Sequence, residues 1–309
     1  MNLENSQSNV IVVDVEQEYV DGLLINWDID DNGKYDYMEK DFIDNVINYL
    51  PEYATGYSTK SLDPLEVIPR LRESAKSVVQ IKNVDVIKEY IDSQTPSDKW
   101  DEEALKIYNS KGVFSELILH FILRDLKNTI PLISKIYFKD SVAIEAHGFD
   151  AVHVFNDELW LGETKFYTSG RQGVNALIED LNKHFNHDYL KEQFVIIGHS
   201  ITSNPETEKW VTRISEAKRL EDKFKMIRIP LLCIYEDSIS SEIINAINAN
   251  TDYKPQYLKH ISDMKKYFDT NNTFPNKGKA QILLLMLPVQ SKKRIVSAML
   301  SRIYNMQNI

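Results

Sequence analysis

The chain has 309 residues, 43% hydrophobic and 27% charged, a composition that can bury a large core and that excludes a disordered or fibrous protein. Its formal net charge of -10 argues against a free-standing, high-affinity nucleic-acid binder, because phosphate attraction supplies most non-specific affinity. The longest apolar run, residues 282–289, is shorter than the roughly 20 residues of a membrane span. The N-terminus also lacks the basic and apolar blocks of a signal peptide, so we expect a cytoplasmic protein.

The charge is unevenly spread along the chain. Residues 250–309 carry ten Lys or Arg against three Asp, a net of +7, which leaves -17 on the first 249 residues. A basic C-terminal segment suits contacts with phosphates or with an acidic partner, and it suits solvated helix faces equally well. The single cysteine, Cys233, excludes an intramolecular disulfide and a cysteine-based zinc cluster, and its apolar neighbours indicate a buried strand.

Hydrophobic periodicity divides the chain into two parts. A mainly helical N-terminal layer is predicted for residues 1–110, and the rest, residues 111–309, alternates between strands and helices as in an α/β fold. The predicted helices lie at 42–50, 66–75, 84–91, 113–126, 171–186, 206–225, 240–250, 255–269 and, after a Ser291 cap, 292–305. The predicted strands lie at 134–138, 141–147, 150–155, 159–167, 194–201, 228–236 and 281–289. The boundary near residue 110 is weakly marked, and a single domain is the alternative.

The most informative segment is HGFDAVHVFNDELWLGETKFY, residues 147–167. Two strand-like runs flank Asn156 and Asp157, a pair that suits a tight hairpin turn. If these two residues form the loop, Asp150 lies directly across from Glu163. One face of the hairpin is then apolar near the turn and acidic at its far end.

The acidic end of this hairpin has the parts needed for phosphodiester hydrolysis. Two opposed carboxylates, with Cβ atoms about 4.5 to 5.5 Å apart, repel each other unless a cation compensates. Mg²⁺ takes one or two carboxylates and leaves its other positions to water and phosphate. Lys165 lies two residues beyond Glu163 on the same strand face, within reach of the attacking water or the scissile phosphate. The alternative is a surface hairpin with an exposed ion pair.

These residues resemble a known family. GFDAVHV followed by LWLGETKFY resembles the Asp and Glu-x-Lys elements of the PD-(D/E)xK nucleases, with Gly148 and Phe149 in place of the usual proline before Asp150. More narrowly, the stretch from SELILHFILRDL to KFY, together with ILLLMLPVQSKKRIVSAML, is similar to the HamA family, the nuclease subunits of the Hachiman anti-phage defence system. The resemblance implies a restriction-endonuclease-like core, a mixed sheet flanked by helices, in which Asp150, Glu163 and Lys165 are catalytic. It also implies Mg²⁺ or Mn²⁺ as cofactor, DNA as substrate and a HamB-like helicase subunit as partner.

Further candidates flank the motif. Glu116 lies on a helix that is apolar almost all round, where a buried carboxylate needs a partner. The superfamily often takes an auxiliary metal ligand from this helix, and a contact with His120 or a capping role are the alternatives. The carbonyl of Thr164 is a further candidate ligand, and Arg171 and Gln172 begin a helix whose N-terminus suits a phosphate. Four histidines show no metal-ligand spacing with cysteine or with one another: His147, His153, His184 and His187.

A rival motif occupies residues 28–39, DIDDNGKYDYME. It matches the calcium loop of an EF-hand at every specified position, from Asp28 to Glu39. Tyr35, however, stands where an aliphatic residue is usual, and no clean helix precedes the loop. The segment is therefore either the loop of a calcium-binding interaction module or an acidic turn that leads to a helix near Glu39. A further alternative keeps the nuclease but with RNA or repair intermediates as substrate, because the catalytic residues contact phosphate.

Overall fold

The computed structural model describes residues 9–13, 19–56, 63–79, 81, 85, 88–89, 112–134, 148–200, 209–210, 212–213 and 220–309. The helices predicted at 84–91 and 206–225 lie only partly within these ranges. The strand predicted at 141–147 lies wholly outside them, and so does the strand predicted at 134–138 apart from its first residue.

A mixed sheet of seven strands forms the centre of the described structure. The strands are β1 (Val10–Val13), β2 (Val20–Ile25), β3 (Trp27–Ile29), β4 (Tyr35–Tyr37), β5 (Ile130–Pro131), β6 (Ala151–Phe155), β7 (Glu158–Tyr167), β8 (Ile227–Glu236) and β9 (Gln281–Val289). The sheet has the order β1-β2-β9-β8-β7-β6-β5, and β3 and β4 form a separate hairpin. β2, β9, β8 and β7 run parallel to one another, whereas the pairs β1–β2, β6–β7 and β5–β6 are antiparallel. The strands predicted at 228–236 and 281–289 are confirmed as β8 and β9. Parallel strands that are buried on both faces consist of continuous apolar residues, and such runs are visible in the sequence.

Helices cover both faces of the sheet. They are α1 (Glu39–Asn48), α2 (Leu50–Thr55), α3 (Pro64–Val78), α4 (Gly112–Asp125), α5 (Gly170–His184), α6 (His187–Ser200), α7 (Leu220–Lys225), α8 (Ser238–Asn248), α9 (Lys254–Asn271) and α10 (Lys292–Gln307). One apolar core joins α1, α4 and α10 to the sheet, and a second core on the other face joins it to α5 and α9. The expected α/β fold with a mixed sheet between helices is therefore present. Within the described part of the chain, no helix is long and apolar enough to cross a membrane.

The hairpin of β6 and β7 has the predicted register. Phe155 pairs with Glu158, and Asn156 in the turn has a φ of 51°, as a two-residue hairpin loop requires. Pairing continues to Ala151 and Gly162. Asp150 directly precedes this last pair and is held beside Glu163 by a hydrogen bond from the backbone N–H of Thr164 to its Oδ2.

The N-terminal region supplies helices and also four strands, of which β1 and β2 join the large sheet. α1 and α3 pack against α10, and the guanidinium of Arg302 on α10 makes two hydrogen bonds with the carboxylate of Asp44 on α1. β1 and β2 were not among the predicted strands, and β2 pairs in parallel with β9. The sheet therefore unites the two ends of the chain. The boundary near residue 110 falls outside the described residues and stays a prediction.

The strand predicted at 194–201 is wrong, because these residues belong to α6 as far as Ser200. The apolar run FVIIGHSI fits either structure when its periodicity is considered alone. In the structure Leu190, Phe194 and Ile197 recur at helical spacing and are buried, whereas Val195 is 55% exposed. Packing of one helical stripe against the core decides the outcome.

The segment with the calcium-loop motif folds as the β3–β4 hairpin rather than as a loop between two helices. Asp28 and Asp36 pair across the hairpin, and the carboxylate of Asp30 accepts two backbone N–H groups inside the turn. Glu39, the twelfth position of the motif, begins α1 and accepts a hydrogen bond from Nε of Arg294 at 2.5 Å. The acidic turn that leads to a helix is thus the alternative that the structure shows.

Candidate active site

Asp150 and Glu163 lie together at the open end of the β6–β7 hairpin. Oδ2 of Asp150 accepts the backbone N–H of Thr164 at 2.9 Å, which anchors the loop before β6 to β7. Glu163 is only 2% exposed. Burial and the neighbouring Glu163 raise the pKa of Asp150 well above its usual range, and burial and Asp180 raise the pKa of Glu163 in the same direction. Two buried carboxyl groups that resist ionisation are stabilised as carboxylates when a cation binds between them.

Lys165 lies on the same face of β7 as Glu163, two residues further along. Its Nζ forms an ion pair with the carboxylate of Asp180 on α5. Although burial disfavours the charge, the hydrogen bond and the attraction of Asp180 raise the pKa of Lys165 above its usual value. The lysine is therefore a positive charge held beside the carboxylate pair.

α5 adds Asp180 and His184 to this group. Nδ1 of His184 lies 2.7 Å from Oε1 of Glu163. One donor atom each from Glu163, Asp180 and His184 lies within 4.8 Å of the other two. The imidazole ring stacks on the ring of Tyr189, with centroids 4.7 Å apart and planes 18° apart. Burial lowers the pKa of His184, which favours the neutral imidazole that metals bind.

Neither residue on α5 was among the site residues predicted from sequence. Their signal was their spacing: Asp180 and His184 are four residues apart and share one stripe of a helix with the buried Leu177 and Leu181. A carboxylate and an imidazole on an otherwise apolar stripe need partners. Metal-ligand spacings between histidines, or between histidine and cysteine, do not include a carboxylate such as that of Asp180.

Glu116 approaches the same carboxylates from α4. Its charge raises the pKa of both Asp150 and Glu163, which places it near the pair. Tyr53 on α2 donates a hydrogen bond from its hydroxyl to Oε2 of Glu116 at 2.6 Å. Four predicted residues, Asp150, Glu163, Lys165 and Glu116, are therefore brought together at one end of the hairpin.

The assembled side chains fit a divalent cation. Asp150, Glu163 and Asp180 offer the oxygen ligands that Mg²⁺ and Mn²⁺ prefer, and His184 offers one imidazole nitrogen. Burial and the neighbouring acidic groups raise the pKa values of Asp150 and Glu163, and the charge of Lys165 offsets this only in part. A cation bound to these donors would stabilise their ionised forms.

Comparison with protein families identifies the chain. A family model described as HamA matches residues 6–303, nearly the whole chain. The chain belongs to the HamA family. Membership of the HamA family relates it to Hachiman anti-phage defence, and all the side chains described above lie in the matched part. Comparisons with curated proteins and with solved structures found no match.

His120 belongs to a buried hydrogen-bond network that is distinct from the carboxylate site. Its Nε2 lies 3.1 Å from Oε2 of Glu52, and its Nδ1 lies 3.1 Å from Nε2 of His153. The guanidinium of Arg124 also binds Glu52, and Nδ1 of His153 lies 2.8 Å from the hydroxyl of Thr129. Burial lowers the pKa of both histidines. The network therefore connects α2, α4 and β6 through the imidazoles of His120 and His153, whose lowered pKa values favour the neutral form.

The predicted phosphate contacts, Arg171 and Gln172, are not gathered at the carboxylates. Arg171 and Gln172 lie in the first turn of α5, whereas Asp180 lies about 14 Å further along the helix axis at 1.5 Å per residue. The guanidinium of Arg171 lies 5.2 Å from the ring centroid of Tyr267, and the residue lines a separate cavity of about 510 Å³. Thr164 contributes its N–H to Asp150, and the role of its carbonyl stays a prediction.

Proposed function

We propose that this HamA-family chain is a Mg²⁺- or Mn²⁺-dependent deoxyribonuclease, the effector of a two-component anti-phage defence system with a HamB-like helicase subunit. The observation that carries the proposal is the convergence of Asp150, Glu163 and Lys165 on one face of the sheet. Two carboxylates in need of a cation lie there beside a fixed positive charge. This is the set of groups that metal-assisted phosphodiester hydrolysis uses.

Each side chain has a part in this mechanism. Asp150 and Glu163 would hold the cation, with Glu116 as an auxiliary ligand kept in place by Tyr53. The bound cation supplies Lewis-acid activation of the phosphate and of the attacking water. Lys165 neutralises charge that develops on the phosphate, and it needs little reorganisation because Asp180 already orients it.

The charge distribution supports a partner that delivers the substrate. A chain with a net charge of -10 attracts the phosphates of DNA only weakly by itself. The basic residues concentrated after position 250 offer a limited region for contact with phosphate or with the partner. A helicase subunit that holds DNA would bring it to the carboxylate site.

Cleavage assays on DNA test the proposal. We expect the chain together with the HamB-like helicase subunit to cut plasmid or linear DNA when Mg²⁺ or Mn²⁺ is present. A chelator should abolish this cleavage. Glu163→Ala and Lys165→Ala should each lower the rate by about 100-fold or more, the scale of losing one group that stabilises the transition state. Glu179→Ala and Lys183→Ala, at exposed positions on α5, serve as matched controls. RNA and branched DNA run in parallel identify the substrate, and full activity in purified Lys165→Ala contradicts the mechanism.

A further inference from the structure

Three potential metal ligands, one on β7 and two on α5, lie close together at the end of the hairpin. Glu163 on β7 and His184 on α5 are 2% and 8% exposed, and Asp180 lies one helical turn before His184. Their donor atoms are within 4.8 Å of one another. Opposite ligands of an octahedral cation with bonds of about 2.1 Å lie about 4.2 Å apart. Small side-chain movements are therefore enough to place all three donors on one ion.

The imidazole changes which cation suits this centre. Mg²⁺ is bound almost entirely by oxygen, whereas a nitrogen ligand increases the affinity for first-row transition metals. Among these metals Mn²⁺ also accepts carboxylates and octahedral geometry. Two carboxylates with one histidine therefore favour Mn²⁺ over Mg²⁺.

We propose that Asp180 and His184 are metal ligands together with Glu163, and that the resulting oxygen–nitrogen centre takes Mn²⁺ in preference to Mg²⁺. The inference rests on the metal site of the proposed function and adds two ligands to it. Neither residue belongs to the Asp and Glu-x-Lys motif. Both come from the helix that follows it.

Two contacts hold these ligands in position. The hydrogen bond to Glu163 and the stacked ring of Tyr189 fix the orientation of the imidazole of His184. Asp180 also carries the ion pair with Lys165, so the helix connects the ligand set to the lysine of the motif.

Pulsed electron paramagnetic resonance of bound Mn²⁺ detects the histidine directly. In the full chain without DNA, we expect the modulation from a coordinated imidazole nitrogen, and we expect it to change when histidine is labelled with ¹⁵N. His184→Gln should abolish the signal. His187→Gln should retain it, because the side chain of His187 is 53% exposed on α6.

Calorimetric titration with Mn²⁺ and Mg²⁺ measures the preference. The unmodified chain should bind Mn²⁺ about tenfold or more tightly than Mg²⁺. Asp180→Asn and His184→Gln should each weaken Mn²⁺ binding by about tenfold or more. Glu179→Gln, one residue from Asp180 and exposed, is the matched control.

The proposal is overturned if the unmodified chain shows no imidazole modulation, if His184→Gln leaves the modulation unchanged, or if Mg²⁺ binds as tightly as Mn²⁺. The labelled unmodified chain decides the question even if a variant fails to fold. Because binding is measured without DNA, a chain that binds Mn²⁺ through His184 and cuts nothing refutes the proposed function alone. Cleavage with Mn²⁺ held only by oxygen refutes this inference alone.

Discussion

At the scale of single residues, the candidate site reduces the stability of the fold when no cation is bound. Glu163 is fully enclosed, and folding opposes its ionisation because burial and the charge of Asp180 raise its pKa. The charge of Lys165 and the hydrogen bond with Asp150 lower the pKa of Glu163 and compensate in part. Such a residue is expected where function requires a metal ligand rather than where the core requires packing.

Glu163→Gln should therefore stabilise the metal-free protein. The amide has the same shape and carries no charge, so at pH 8 we expect the free energy of unfolding to rise by about 1 kcal/mol in urea titrations. The pKa of Glu163 is higher in the folded than in the unfolded state. The penalty in the unmodified chain is thus complete above the folded pKa and disappears as pH falls towards the unfolded value of about 4.3.

The difference in the free energy of unfolding between Glu163→Gln and the unmodified chain should accordingly become smaller as the pH is lowered. Saturating Mn²⁺ should reverse the order of stability, because the metal binds the unmodified chain more tightly. Glu179→Gln at the surface should change neither measurement. A metal-free protein that is more stable at pH 8 with Glu163 than with Gln would contradict this account.

At the scale of elements, the distance between α5 and the sheet places Asp180 and His184 against Glu163. Glycines permit the close approach: an ideal Cβ at Gly173 would lie 2.6 Å from Sγ of Cys233 on β8. Both residues are buried. A Cβ at Gly173 forces the thiol of Cys233, α5 or β8 to shift, and the proposed metal ligands near the end of α5 move with the helix.

Gly173→Ala should destabilise the fold by about 1 to 3 kcal/mol, the usual cost of an overpacked core. It should also weaken Mn²⁺ binding, since the donors on α5 no longer meet Glu163. Cys233→Ala removes the sulfur in the clash, so the double variant should recover most of both losses in a double-mutant cycle. Gly278→Ala is the control, because a Cβ there meets nothing within 4 Å. Additive effects of the two substitutions would show that the clash with sulfur is not the cause.

At the scale of the whole molecule, the sheet ties the beginning of the chain to its end. β2 pairs with β9, and the hydroxyl of Tyr257 on α9 donates to the backbone carbonyl of Leu23 at 2.8 Å. Leu23 and Leu24 point to opposite cores, and both are fully buried. The N-terminal strands therefore complete both hydrophobic cores and cover an edge of β9.

Deletion of residues 1–26 should expose that edge and leave both cores open. We expect the shortened chain to aggregate or to lose its cooperative unfolding transition, because an uncovered hydrophobic edge strand pairs with other chains. Size-exclusion chromatography and thermal unfolding measure the effect. Tyr257→Phe, which loses one hydrogen bond worth about 1 kcal/mol, should stay monomeric and folded. A soluble, cooperative product of the deletion would show that β1 and β2 are dispensable.

The sequence by itself determined the features that depend on local pattern. The two-residue turn and the alternation of strands predict the register that opposes Asp150 and Glu163, because a hairpin register follows from loop length and from the two-residue side-chain period. The cap of α10 follows from local chemistry, with the hydroxyl of Ser291 accepting the N–H of Arg294. Likeness to a family was also visible in the motif, and the family match confirms it.

Only the tertiary structure decided which distant elements meet. Asp180 and His184 reach Glu163 because α5 folds back over β7, and Tyr53 reaches Glu116 because α2 packs against α4. The same cause explains the missed β2, which is a strand because β9 offers it a partner, and the helical α6, whose apolar run suits either structure. Hydrophobic periodicity describes only how apolar and polar residues alternate within one segment. Contacts between distant segments depend on the packing of the whole chain, which no local pattern contains.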